Sequence, residues 1–183
     1  MKINLKNCSE EELWKYVATH LKKNGIDSIL VGGAVVSIYS EGIYESGDLD
    51  FVLTDMFVKN LPAVMSEIGF FKKGGRHYEH PDCKHLFVEF PSSFLEIGED
   101  NQIKADEISV EGTKIKILSP TDCVRDRLAG YMYFKSRDNF DQAILVAQKH
   151  PVSMMKIKKW CEGEKHLDTF EEFKATLKKR NKI

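Results

Sequence analysis

Apolar residues Leu13, Val17 and Leu21 recur at four-residue intervals near the start of the chain, the period of a helix that buries one face. Ser9 stands ahead of this run with Glu12 three positions on, the pattern of a capping box, and Asn24-Gly25 closes it; the spacing predicts a helix over about 10–23. "SILVG" is a short β-branched apolar run ending in the pair Gly32-Gly33, and "AVVSIYS" after it reads as a short helix. In "DLDFVLT" the period falls to two, which places Leu49, Phe51 and Leu53 on one face of a strand and Asp48, Asp50 and Val52 on the other.

A helix over about 57–68, broken or started at Pro62, leads through Gly69 into a short "FFKKG" segment. "KHLFVEF" is a strong strand ended by Pro91, and "KADEISV" with "TKIKILS" forms a hairpin turning at Glu111-Gly112. From Ser119-Pro120 the pattern turns helical, with four helices in "TDCVRDRLAGYMYF", "RDNFDQAILVAQKH", "VSMMKIKKWCEG" and "DTFEEFKATLKKR", separated by breaks such as Pro151 and Gly163. Strands before about residue 118 and helices after it predict an α+β fold, with a mixed-sheet core over 1–118 and a helical bundle over 119–183 packed on it. Phe134, Phe140, Met154, Met155 and Trp160 read as core of that bundle, and Arg137 with Asp141 as an i, i+4 ion pair.

Composition narrows the function. The chain's 183 residues suffice for one core with an elaboration. Its 27 basic and 28 acidic residues nearly cancel, which removes the case for a nucleic-acid coat or a membrane surface. The excess of basic residues after His150 is read as a solvated helix face. Cys8, Cys83, Cys123 and Cys161 are widely spaced and form no CxxC pair, so free thiols in a reducing compartment are expected. With neither an apolar leader nor eighteen consecutive apolar residues in view, a cytoplasmic protein is expected.

Asp48 and Asp50 point the same way from one strand, with Cβ atoms about 7 Å apart. Two carboxylates so placed must be solvated, paired with cations or bound to metal. Glu89, in "LFVEF", can join them if its strand lies alongside. Three hard oxygen donors suit Mg²⁺ or Mn²⁺, above all with substrate phosphates completing the shell. A Gly-Gly turn between strand and helix lets backbone amides approach a polyphosphate, and Ser37 about one turn on could add a hydroxyl. A glycine pair alone is more often a tight turn, and Asp-x-Asp alone often lies on an exposed edge. Their order, with a later acidic strand, is what argues for a metal and nucleotide site.

Val31-Gly32-Gly33, Asp48-Leu49-Asp50-Phe51 and Glu89, with Ser46 two before the first aspartate, resemble the nucleotidyltransferase superfamily that includes DNA polymerase beta and the aminoglycoside nucleotidyltransferases. The likeness covers Ile26 to about Phe90. It extends more loosely through the helical region, which looks like bacterial nucleotidyltransferase-like proteins, some related to toxin and abortive-infection systems. The interval from Gly33 to Asp48 is long for the pattern, and an extra turn at "EGIYESG" would absorb it. The resemblance implies that Asp48, Asp50 and Glu89 hold divalent ions and serve catalysis, and that Gly32, Gly33, Ser37 and Ser46 seat the triphosphate. It implies transfer of a nucleoside monophosphate from a nucleoside triphosphate to a hydroxyl on a protein, an RNA or a small molecule. Alternatives are a non-catalytic protein of the same fold, such as one half of a toxin–antitoxin pair acting with a partner protein or as a homodimer, and a metal-dependent phosphohydrolase.

Arg76, His77, His80, Cys83 and His85 crowd "GGRHYEHPDCKHLF". Their spacing matches no closed zinc pattern, and strand geometry is expected to splay His85 from the rest. The segment is read as a loop rimming the nucleotide site, with Arg76 facing phosphate or base. Arg125 and Arg127, on the first of the four helices, could lend a cation to phosphates if that helix covers the cleft.

Overall fold

The computed structural model describes residues 2–55, 58–91 and 94–181. Its elements run α1 (Glu10–Lys23), β1 (Ser28–Val31), α2 (Gly32–Tyr39), β2 (Asp48–Leu53), α3 (Leu61–Glu67), β3 (Phe71–Gly74), β4 (His77–His80), β5 (Cys83–Glu89), β6 (Asp106–Val110) and β7 (Thr113–Ile117), then α4 (Pro120–Phe134), α5 (Arg137–Lys149), α6 (Met154–Gly163) and α7 (Leu167–Arg180). They fall into two compact units: residues 2–35, 45–95 and 105–117 form one, and 36–44, 96–104 and 118–181 the other. Among the described residues, no helix is long and apolar enough to cross a membrane.

The first unit is a mixed sheet in the order β3-β4-β5-β2-β1-β7-β6. β2 runs antiparallel to β1 and parallel to β5, while β1 runs parallel to β7. The capping box forms in full: Glu12 N–H donates to Ser9 Oγ at 3.1 Å and Ser9 N–H donates to Glu12 Oε2 at 2.9 Å. It starts α1 so that Leu13, Val17 and Leu21 are wholly buried where the helix meets β1 and β7. The β6–β7 hairpin turns where expected, with φ +47° at Glu111 and +79° at Gly112; two left-handed central residues match the twist of the flanking strands. Expected helix 57–68 is shorter: α3 begins at Leu61 with Pro62 in its first turn, and the expected start at Phe57 lies outside the described residues. A turn with φ +57° at Glu41 and +77° at Gly42 takes up the long interval between the glycine pair and β2.

In the second unit, Ser119, Ser136 and Ser153 each cap a helix by accepting a backbone N–H three residues on. Phe140, Ile144, Ile157, Cys161 and Phe173 are fully buried among these helices. The side chain of Arg125 is 1% exposed, donates to Asp122 at 2.7 Å and to Asp100, and lies over the Trp160 ring. Trp160 Nε1–H donates to Ile97 O at 3.0 Å. Two sequence expectations fail here. Phe134 and Met155 are each 81% exposed rather than core, because Phe134 is the last residue of α4 and Met155 faces outward from the start of α6. Arg137 does not pair with Asp141: it pairs with Glu172 and stacks on Phe140, and Asp141 pairs with Arg180. Tertiary partners outcompete an exposed i, i+4 pair worth only about 0.3–0.5 kcal/mol.

Candidate functional site

β2 lies between β1 and β5, and the register decides what its side chains meet. Asp50 is the Cα partner of Val31 on one side and of Glu89 on the other, and Asp48 is the partner of Phe87. Directly opposed residues project to the same side of a sheet, as do residues two apart on one strand. Asp48, Asp50 and Glu89 therefore share a face, all three half-buried, while Leu49, Phe51, Val88 and Phe90 fill the other. The buried alternates fix the register, because a one-residue slip would turn every carboxylate into the core.

Each carboxylate is held by the chain around it. Ser46 Oγ donates to Asp48 Oδ1 at 2.6 Å. Ser46 N–H in turn donates to Glu10 Oε2 at 2.7 Å, so the first residue of α1 braces the approach to β2. At Gly32 φ is +69°, and a Cβ built there would overlap Asp50 Oδ2 and lie 3.2 Å from its Cγ. Only glycine permits both that backbone and that carboxylate. Gly33 follows inside the first turn of α2. Ser37, half-buried further along α2, falls in the second unit; its carbonyl accepts the Gly42 N–H at 3.0 Å and the Ser40 hydroxyl at 3.2 Å.

Glu89 meets a residue to which the sequence reading gave no such role. His77, its Cα partner across β4 and β5, places Nδ1 3.1 Å from Glu89 Oε1 and Nε2 2.9 Å from Glu79 Oε1. Both contacts favour the doubly protonated ring, which donates from each nitrogen to a carboxylate oxygen. The hydrogen bond to Glu89 raises the His77 pKa against the opposing effect of burial, and Glu79 adds to the rise. His77 also packs on Phe87 at 4.4 Å between ring centroids. Folding "HYEH" back on "CKHLFVEF" as a hairpin about His80-Pro81 would have revealed the pairing. Glu10 was likewise missed, its signal being a first-turn acid beyond the one the capping box uses.

The segment read as a loop is instead the β4–β5 hairpin. Arg76 sits exposed at the turn before β4, its carbonyl accepting the Phe90 N–H at 3.0 Å, which places it at the same end of the sheet as His77 and Glu89. His80 packs against Phe70 at 5.2 Å and its Nδ1 accepts the Asp82 N–H. His85 does not splay away from Cys83: the two lie two residues apart on β5 with Nδ1 4.0 Å from Sγ. A cavity of about 470 Å³ is lined by Phe71, Lys73, Glu79, His80, Lys84 and Phe87 among others, so it shares Glu79 and Phe87 with the surroundings of His77.

No family model and no curated protein matches the chain. Among solved structures it is similar to an antigenic nucleotidyltransferase-like protein from Paracoccidioides brasiliensis, at 20% identity over 75% of each chain with a TM-score of 0.58. It is similar also to the antibiotic-resistance factor ANT(2″)-Ia in solution, at 14% identity over 93% of this chain and 91% of that one with a TM-score of 0.54. The crystal structure of ANT(2″)-Ia in complex with adenylyl-2″-tobramycin gives 12% identity, 91% and 97% coverage and a TM-score of 0.55. At such identities the likeness is one of backbone architecture: the chain shares the fold of these nucleotidyltransferase-like proteins.

Proposed function

We propose that the protein is a nucleotidyltransferase that moves a nucleoside monophosphate from a nucleoside triphosphate to a hydroxyl acceptor. The observation that carries this reading is the register of β2, which sets Asp50 between Gly32 and Glu89 with Asp48 on the same face. The donor chemistry suits a hard divalent cation: the carboxylates of Asp48, Asp50 and Glu89 lie on one half-buried face. These three side chains would hold Mg²⁺ or Mn²⁺, which when bound supplies positive charge to phosphate oxygens and acidifies an acceptor hydroxyl.

The remaining work falls to the chain. Gly32 and Gly33 offer backbone amides and the start of α2 to the β and γ phosphates. Ser46 keeps Asp48 in one orientation, and His77 does the same for Glu89, so the carboxylates need little rearrangement when substrate arrives. Arg76 contributes an exposed positive charge at the same end of the sheet. Glu89 accepts the acceptor's proton as its oxygen attacks the α-phosphorus. The bond from that phosphorus to the oxygen of the β-phosphate breaks, and pyrophosphate leaves with its electron pair. The cavity that shares Glu79 and Phe87 with the site has the volume of a small-molecule pocket, and we assign the acceptor to it. An adenylylated small molecule accompanies ANT(2″)-Ia in one similar structure, which supports this class of product.

The test is incubation with Mg²⁺ and labelled nucleoside triphosphates, alone and with cell lysate. Label on a small molecule or macromolecule with release of pyrophosphate is expected. Asp50→Asn should abolish Mg²⁺-dependent triphosphate binding while the chain stays folded; retained binding in that variant sinks the assignment. A second reading, a triphosphate-binding protein of this fold without transfer, has one observation on its side: Glu89 is already engaged by His77. Triphosphate binding without label transfer or pyrophosphate would select it.

A further inference from the structure

At the opposite end of β5 from Glu89, the described residues gather one set of soft ligands. Cys8, just before the Ser9 cap of α1, and Cys83, at the start of β5, face each other with sulfurs 3.9 Å apart. His85 places Nδ1 4.0 Å from the Cys83 sulfur, and all three ligand atoms lie within 4.8 Å of one another. Both cysteines are buried, at 4% and 1% exposure, whereas His85 opens to solvent.

The second ring nitrogen of His85 decides what the first can do. Nε2 lies 2.9 Å from the carbonyl oxygen of Cys8. A carbonyl only accepts, so Nε2 carries the proton and Nδ1 turns its lone pair toward the two sulfurs. A histidine whose outer N–H is tied to a backbone carbonyl is the arrangement found behind metal ligands, where it fixes ring and tautomer. The distances agree. With Zn–S about 2.3 Å and Zn–N about 2.0–2.1 Å, tetrahedral ligands lie about 3.8 Å apart for sulfur pairs and about 3.6 Å for sulfur and nitrogen. The Cys8–Cys83 sulfur separation of 3.9 Å and the Cys83–His85 separation of 4.0 Å differ from these by about 0.1 and 0.4 Å, and the third pair lies within 4.8 Å.

We infer that Cys8, Cys83 and His85 form a zinc site with two thiolates, one imidazole and a fourth position open to water or an outside ligand at the His85 side. Thiolate and imidazole suit zinc, as the carboxylate face suits magnesium. The two metal positions are separate, since Cys83 precedes Glu89 by six residues on β5, about 20 Å along an extended strand, although Cys83 also lines the cavity assigned to the acceptor. Binding releases both thiol protons and ties the segment before α1 to β5. Because binding displaces those protons, affinity rises with pH.

The experiment uses the untagged full chain, stripped with a chelator and kept reduced. Zinc is titrated against a chromophoric competitor, and cobalt is substituted to read thiolate-to-metal charge transfer. One equivalent of tightly bound zinc and a thiolate–cobalt band are expected. Cys8→Ser or Cys83→Ser should weaken zinc binding about 100-fold or more, and His85→Gln about 10-fold or more. Asp50→Asn should leave zinc binding unchanged, so failure of this site and failure of the transferase reading are distinguishable. The cobalt spectrum of the unmodified chain needs no variant to fold. Absence of the band, zinc retained by Cys8→Ser, or a Cys8–Cys83 disulfide in freshly isolated protein would each overturn the proposal.

Discussion

Gly32→Ala tests the close approach on which the site geometry rests, and a second glycine supplies its control. Gly25 and Gly32 have nearly the same positive φ, +73° and +69°, but a Cβ at Gly25 meets nothing within 4 Å whereas one at Gly32 overlaps the Asp50 carboxylate. A left-handed conformation costs an alanine about 1–2 kcal/mol, so Gly25→Ala should destabilise by about that much. Gly32→Ala carries the same backbone strain and must also displace Asp50. Forcing extra volume into a packed site costs about 1–3 kcal/mol more, for a total of about 2–5 kcal/mol. Urea denaturation of both variants measures the difference. Isothermal titration with a nonhydrolysable triphosphate and Mg²⁺ should find at least about tenfold weaker binding for Gly32→Ala, because Asp50 is moved, and unchanged binding for Gly25→Ala. Equal destabilisation of the two variants, or normal triphosphate binding by Gly32→Ala, would refute the claim that the missing side chain at Gly32 makes room for Asp50.

Acid stability tests the buried charges of the second unit. Burial acts to raise the Asp122 pKa, but hydrogen bonds from Lys156, Arg125 and Ser119 together outweigh it and hold the carboxyl below its ordinary value. A lowered folded-state pKa gives stability that is present above the unfolded value of about 3.9 and lost as pH falls through the folded value. Asp122→Asn should therefore flatten the acid limb of a thermal-denaturation profile below about pH 4; an unchanged limb would assign acid sensitivity elsewhere. Arg125→Met leaves Asp122 buried without its closest guanidinium, and should lower unfolding free energy by about 3–5 kcal/mol, measured by urea denaturation, with part recovered when Asp122→Asn is added.

Local chemistry was legible in the chain. Ser9 and Glu12 fix where α1 starts, Glu111-Gly112 fixes the β6–β7 turn, and serines cap three of the four late helices, because these signals act within a few residues. The shared face of Asp48 and Asp50 follows from alternation alone. What could not be read was partnership across the sheet. β4 is four residues of mostly polar character, and nothing within it says it pairs; only its register against β5 brings His77 to Glu89. Cys8 and Cys83 stand 75 residues apart in sequence and meet through tertiary packing, which no spacing rule encodes. Phe134 and Met155 mislead for the opposite reason: helical period says which residues align but not where a helix runs out of neighbours.

The shielding of every cysteine sulfur lends the molecule a built-in stopwatch. Cys8 and Cys83 belong to the first unit and Cys123 and Cys161 to the second, all buried, and in the zinc-free chain burial is the main cause holding each of the four thiols protonated. An alkylating reagent thus reacts only when the surrounding packing opens. Mapping which pair is captured, and how fast, times the breathing of each half of the chain on its own clock, without a dye, a tag or a change of sequence.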